Sequence, residues 1–305
     1  MGDDEIDVAQ LSNGGMGASK GPSDSSQEGL PPFALFADAD GSRRRGSIHM
    51  EMARALVAET LSAAFQVGAS VGASQLYSRG FASTPGGLLM IAFAQAVSYM
   101  ACSFIFSPHA EGFGSPLLLW ASVLVRHPPT LKRSTAARVM IGLVIPLFQL
   151  AGSIAGAALA DWAIGRQLPP AVVERTQAVP QLLPGVQPAA AFVVEAIAAF
   201  WLVLVMSLPQ NTARLYTPPD ARAFMGGQAQ SGDITRPIVA GFVFSVFVFS
   251  GGIIVSGVSI SPFRWLGAAI VFNFWTRNWW VHVFGPITGF VLAVFTGLFL
   301  NSTTK

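Results

Sequence analysis

Few side chains in the long apolar stretches of this 305-residue chain could do chemistry. Glu59, Glu195 and Arg264 are ionisable, and Gln149 and His282 can hydrogen-bond. Two serines each precede a proline at the head of a short apolar run, in Ser115-Pro116-Leu117 and Ser261-Pro262-Phe263. A carboxylate pair suggests acid–base work or proton coupling. An arginine in apolar surroundings suggests an ion filter or an anchor, because a charge inside a bilayer costs several kcal/mol or more. No nucleophile, base and orienter come together, so the chain does not read as an enzyme and implies no cofactor. Metal chemistry is not indicated either. His49, His109, His127 and His282 are far apart, and Cys102, the single cysteine, excludes an intrachain disulfide and any multi-cysteine site.

These residues must be held by membrane helices. The chain is 52% hydrophobic and 11% charged, against about 25% charged in a soluble domain, with a mean hydropathy of +0.53. Eight of its 16 Asp and Glu fall within residues 1–47, so the rest is more apolar than the average. The net charge is +2 with basic residues scattered, which excludes a nucleic-acid partner. Met1–Asp7 is acidic where a signal peptide opens basic, so no signal peptide is expected.

Residues 1–47 are rich in Ser, Gly, Asp and Gln without apolar periodicity and read as a disordered tail. Arg43-Arg44-Arg45-Gly46-Ser47 closes it, as a positive-inside anchor or as a basophilic kinase site with Ser47 the acceptor. A spanning helix needs about 20 mostly apolar residues. Six stretches qualify: 51–74, 86–106, 137–160, 188–208, 237–256 and 279–300. Two more, 116–125 and 262–272, are too short to span. Each opens at Ser-Pro, with proline at the first helical position, and follows a Gly- and Ser-containing loop. They read as half-helices dipping into the membrane.

The order long, long, short, long occurs twice, in halves of about 50–160 and 188–300. Three spans per half force opposite orientations, so the fold expected is an all-α membrane protein. It has six transmembrane helices and two re-entrant half-helices in an inverted repeat, over residues 48–301, with 302–305 a short tail. Broken helices at matching positions point to the binding site or pore. Thirteen of 18 Lys and Arg fall inside if both termini are cytoplasmic, four fall outside and Arg264 lies in the membrane. Plasma membrane and vacuolar membrane fit this pattern equally.

Over residues 50–300 the sequence resembles the aquaporin, or major intrinsic protein, family. The resemblance rests on Gly257-Val258-Ser259-Ile260-Ser261-Pro262-Phe263-Arg264, on Gly267-Ala268-Ala269-Ile270-Val271, Asn273-Phe274-Trp275 and Gly285-Pro286-Ile287-Thr288-Gly289, and on Glu59, Glu195 and Gln149. Family members usually carry Asn-Pro-Ala where this chain has Ser115-Pro116-Leu117 and Ser261-Pro262-Phe263, which makes it a divergent member.

The resemblance implies a selectivity filter of Arg264, Phe249 and Val258, with either Phe93 or Gln95 from span two. It implies loop support by Glu59, Glu195 and Gln149, and a homotetramer with one pore per subunit. His282 reads as an interfacial contact near the outer end of span six, with the outer vestibule as the alternative. Trp275, Trp279 and Trp280 read as an interfacial aromatic group. Small residues in Gly152-Ser153-Ile154-Ala155-Gly156 predict close helix contact, within one subunit or between subunits.

The function implied is passive passage of water and small neutral solutes through the lipid bilayer. Ions are excluded by half-helix dipoles and Arg264. Within that class a facilitator of glycerol, hydrogen peroxide, ammonia or urea is the alternative; Trp265 stands where glycerol-conducting relatives usually have Asp. Two readings from other classes compete. One is a secondary transporter, which shares the inverted repeat. The other is a closed structural protein, motivated by the bulk of Leu117 and Phe263.

Overall fold

The computed structural model describes residues 45–77, 85–106, 110, 112–125, 135–167, 178–182, 184–207, 238–239, 241–243, 246 and 257–302. Apolar composition makes these segments helical, since a helix satisfies its own backbone where no water can. In chain order they are α1 (Arg45–Tyr77), α2 (Pro85–Phe106), α3 (Pro116–Leu124), α4 (Thr135–Ala160), α5 (Pro188–Ser207), α6 (Pro262–Phe272) and α7 (Trp279–Ser302). A π-turn, Asp161–Gly165, carries α4 onward. No strand occurs among the described residues.

Five of the described helices are long and apolar enough to cross a membrane: Met52–Leu76, Leu89–Phe106, Ile141–Gly165, Pro188–Met206 and Trp279–Leu300. They coincide with expected spans one, two, three, four and six. The fifth, 237–256, lies almost wholly outside the described residues, and Phe249 with it. The helix α1 begins at Arg45, so Arg45–Ser47 belong to its first turn and not to the tail expected there. At 1.5 Å per residue, α3 and α6 are only about 14 and 17 Å long, half of a core about 30 Å thick.

The packing repeats as the sequence does. The most extensive pairings are α1 on α4 and α5 on α7, and α6 packs on α4. Glycines permit both major contacts. A Cβ on Gly152 or Gly156 would run into the backbone of Thr60 or Ala64 on α1, and one on Gly285 or Gly289 into Glu195 or Ala196 on α5. The small-residue run of α4 therefore serves contact within the chain. The half-helices are fastened sideways: Trp120 Nε1 of α3 donates to the Gly142 carbonyl of α4 at 2.9 Å.

Large apolar side chains such as Phe65, Leu143, Phe242, Phe295 and Phe299 are more than half exposed. In water such a surface would be an aggregation liability; in lipid it is the expected exterior. Trp275 and Trp279 are also exposed, while Trp280 lies against Phe192, 5.9 Å between centroids.

Candidate functional site

Both half-helices start alike. Ser115 (φ −115°, ψ 123°) and Ser261 (φ −129°, ψ 129°) are extended N-cap residues followed by proline, and neither hydroxyl caps its own helix. Ser261 Oγ is buried with no partner among the described residues. The first four N–H groups of a helix lack intrahelical acceptors, so each start is a cluster of donors with a partial positive charge.

The loops that deliver these starts are held by two buried carboxylates. Glu59 of α1 accepts the Gly112 N–H at 2.6 Å through Oε1, and the Gly114 N–H at 2.8 Å through Oε2. Gln149 of α4 donates to the same Oε2 at 2.9 Å. In the second half, Glu195 of α5 accepts the Ser259 N–H at 2.8 Å, the Ile260 N–H at 3.0 Å and the Ser259 hydroxyl at 3.0 Å. His282 of α7 adds its Nδ1 at 3.2 Å. As a carboxylate only accepts, Nδ1 carries the proton of that bond. All four side chains are fully buried.

These bonds hold backbone in conformations that L-residues avoid. Gly114 (φ +78°) and Ile260 (φ +54°) occupy the same place before their serines, and Phe113 (φ +46°) and Val258 (φ +38°) lie nearby. A β-branched residue at positive φ is an outlier costing about 1–3 kcal/mol. The carboxylate bonds offset that cost.

Arg264, in the first turn of α6, donates through one guanidinium nitrogen to the Val258 carbonyl. Behind it Trp265 is buried; its Nε1 donates to the Pro180 carbonyl at 3.1 Å. Its ring stacks on His282 at 6.1 Å with 9° between planes. The loop before α5, the start of α6 and α7 are thereby joined.

Ser115, Ser261 and Arg264 all line one cavity of about 40 Å³, room for a small number of waters. From α1 it is lined by Ala63, Gln66, Val67 and Ser70, and from α2 by Gln95, Ser98 and Tyr99. Gly114, Ser259, Ile260 and Leu202 complete the lining. Gln66 Nε2 donates to the Phe113 carbonyl at 2.6 Å, and Gln95 Nε2 lies 3.3 Å from Ser70 Oγ.

The residues singled out in the sequence fall as follows. Glu59, Glu195 and Gln149 are loop anchors, and Arg264 reaches the cavity. Of the two candidates on α2, Gln95 lines the cavity, while Phe93 is 60% exposed on the outer surface. Val258 is fully buried in the hydrophobic core, so its contribution is its carbonyl. Leu117 is likewise buried in the core, and neither it nor Phe263 lines the cavity, so their bulk does not plug it. The interfacial reading of His282 is overturned: it is fully buried against Glu195 and Trp265.

Gln66, Ser70 and Ser98 also line the cavity and belong to no motif in the sequence. The available signal was periodicity, since Ala63, Gln66, Val67 and Ser70 share one helical face in an otherwise apolar span. His109 lies outside the described residues. Among the described residues no His, Cys, Asp and Glu group could hold a metal.

Fold and site together define a multi-pass helical membrane protein built as an inverted repeat around two re-entrant half-helices. Residues 47–296 match the Major intrinsic protein family, and the chain belongs to that family. It is 33% identical to aquaporin-5 of Mus musculus over 152 residues, covering 50% of this chain and 49% of that protein. It is 41% identical to aquaporin-B of Dictyostelium discoideum over 79 residues, 26% of each. The matches thus span half or less of these relatives. The fold is similar to the X-ray structure of the aquaglyceroporin from Plasmodium falciparum, with a TM-score of 0.59 at 14% identity over 81% of this chain and 94% of that one.

Proposed function

We propose that the chain is a passive channel for water and small neutral solutes, driven only by concentration or osmotic gradients. The observation that carries this is the meeting of Ser115 and Ser261, each the start of a half-helix, at one cavity with Arg264. A neutral molecule leaving water loses hydrogen bonds worth about 1–3 kcal/mol each unless the wall replaces them. Half-helix N–H groups and loop carbonyls supply replacements, and they are held rigid by Glu59 and Glu195. A cation there meets two positive dipole ends and a guanidinium, so it is repelled.

Arg264, Gln95, the Val258 carbonyl and Phe249 form the filter in this reading. Both termini face the cytoplasm, and the working unit is a homotetramer, each protomer with its own pore. The chain does no catalysis and needs no cofactor. A transporter reading needs a free carboxylate for coupling, and both Glu59 and Glu195 are engaged by loop donors.

Stopped-flow swelling of vesicles containing the purified protein tests the proposal. Water permeability well above that of protein-free vesicles is expected. Equal rates for water, glycerol and urea in both preparations would sink it.

A further inference from the structure

Arg264 lines the cavity, and Trp265, next to it in the chain, does not. Trp265 is fully buried, in one hydrophobic cluster with Ala178 and Val179 of the segment between α4 and α5. An indole has a single donor. Stacked on His282, this ring directs its N–H at the Pro180 carbonyl, 3.1 Å away. Pro180 in turn bears on the loop that leads into α6. A Cβ on Gly257 would lie 3.0 Å from Pro180 Cα and 3.3 Å from Gln181 N. Gly257 precedes Val258, whose carbonyl accepts from the Arg264 guanidinium. The contacts close a ring: Trp265 to Pro180, Pro180 to Gly257, along the chain to Val258, and across to Arg264.

The backbone inside this ring needs support. Gly257 (φ +74°) and Val258 (φ +38°) both have positive φ. For a valine this is unfavourable by about 1–3 kcal/mol and persists where the surroundings over-determine it. Glu195 holds the chain on one side, through the Ser259 and Ile260 N–H groups. Pro180 backs it on the other, at Gly257. Rotation of the Val258 carbonyl would release the guanidinium it holds.

We infer that Trp265 is a positioning residue for Arg264. Its indole N–H seats residues 178–181 against Gly257, which sets the direction of the Val258 carbonyl and so keeps the guanidinium at the cavity wall. Trp265 thereby governs which species the channel refuses, without touching any of them. The inference rests on the channel reading above and, within it, on Arg264 as the ion filter.

A double-mutant cycle in vesicles containing the purified full chain provides the test, with pH-gradient decay relative to water flux as the readout. Trp265→Phe keeps a ring against His282 and removes the N–H. It should raise the ratio about fivefold, the weight of one ordinary hydrogen bond. In an Arg264→Val background the same change should add nothing, because linked residues do not act additively. A merely structural role would loosen the protein equally in both backgrounds, and an equal rise in both overturns the inference. So does an unchanged ratio in Trp265→Phe when Arg264→Val raises it; both results leave the channel and its arginine filter standing. A ratio that Arg264→Val itself does not move defeats the filter reading, and a wild type that passes no water defeats the channel. Should Trp265→Phe not fold, replacing the Trp265 indole by its benzothiophene isostere, which changes N–H to S and keeps the ring, decides by the same two comparisons.

Discussion

Gln149 and His282 perform one task in the two halves of the chain: each reaches from its long helix to the carboxylate that holds a half-helix loop. Gln149 meets Glu59 at 2.9 Å and His282 meets Glu195 at 3.2 Å. Their helices agree in register too. Gly152 and Gly156 follow Gln149, and Gly285 and Gly289 follow His282, at the same two spacings. A carboxylate buried in an apolar helix is stable only when its oxygens are filled. The repeat fills them from equivalent positions with different side chains.

The equivalence predicts that the halves can exchange solutions. In His282→Gln a carboxamide nitrogen can still donate to Glu195, and only the stack on Trp265 is lost. In His282→Ala both are lost and Glu195 keeps only its loop donors. Thermal unfolding of the purified protein should rank wild type above His282→Gln and His282→Ala lowest. The full step should be about 1–3 kcal/mol, as for a broken buried hydrogen bond to a charged group. A His282→Gln variant as unstable as His282→Ala would contradict the equivalence.

The carboxylates themselves should be less forgiving. Glu195→Gln keeps one acceptor oxygen but turns an NH2 group toward donors that the second oxygen now serves, among Ser259 N–H, Ser259 Oγ and Ile260 N–H. Glu59→Gln does the same to Gly112, Gly114 and Gln149. Either change should lower the unfolding temperature and the yield of folded protein. Water permeability per folded protein should fall as well, because the loops that present Ser115 and Ser261 lose their anchor. Unchanged stability in both variants would show that the loops are held by something else.

How far the site was legible follows from what each residue had to be. Glu59, Glu195 and Arg264 stand out because an ionisable group in lipid has few reasons to exist. The Ser-Pro pairs stand out because proline marks a first turn. The role of His282 is hidden in the sequence, since its position near one end of a span says nothing of the fold bringing α5 and the second loop against it. Phe93 and Gln95 could not be separated from sequence because the loop before α3 leaves the alignment free by a residue or two. Two positions along a helix amount to about 200° of rotation, which sends one to the cavity and the other to the surface. Trp265 stands out in the sequence only as a departure from the Asp of glycerol-conducting relatives; its bond to the Pro180 carbonyl, far away in sequence, is visible only in the fold.

Two glycines separate steric from conformational demand. Gly114 has φ +78°, and a Cβ there would lie 2.6 Å from Ala63 N and 2.7 Å from Ala63 Cα. Gly185 has φ +86° with nothing within 4 Å. Gly185→Ala should cost about 1–2 kcal/mol, the left-handed penalty alone. Gly114→Ala adds a clash with the backbone of α1 and should leave little folded protein. Comparable yields and unfolding temperatures for the two would refute the tight approach of the first loop to α1.

Arg264 is expected to act on ions more than on water. Its guanidinium is tied to the Val258 carbonyl and lines the cavity with Ser261. Arg264→Val removes the nearest full positive charge and leaves only the helix dipoles. Decay of a pH gradient across protein-containing vesicles should then quicken at least tenfold relative to water flux, a barrier lowered by about 1.4 kcal/mol or more. An unaltered decay would move ion rejection to the half-helix starts alone.

The assignment of the α2 position yields the sharpest contrast. Phe93 is 60% exposed on the outer surface, whereas Gln95 is buried and lines the cavity with Arg264. Phe93→Ala removes apolar area from a surface that stays apolar, so water and solute permeabilities per folded protein should match the wild type. Gln95→Leu is close in volume but withdraws a carboxamide from the lining and leaves Ser70 without its partner. Its solute-to-water permeability ratio should therefore shift, with glycerol and urea losing more than water. The decisive comparison is between the two variants in one vesicle preparation. If Phe93→Ala shifts that ratio as much as Gln95→Leu does, the rotation of α2 about its axis is wrong, and the filter must be rebuilt around the aromatic ring.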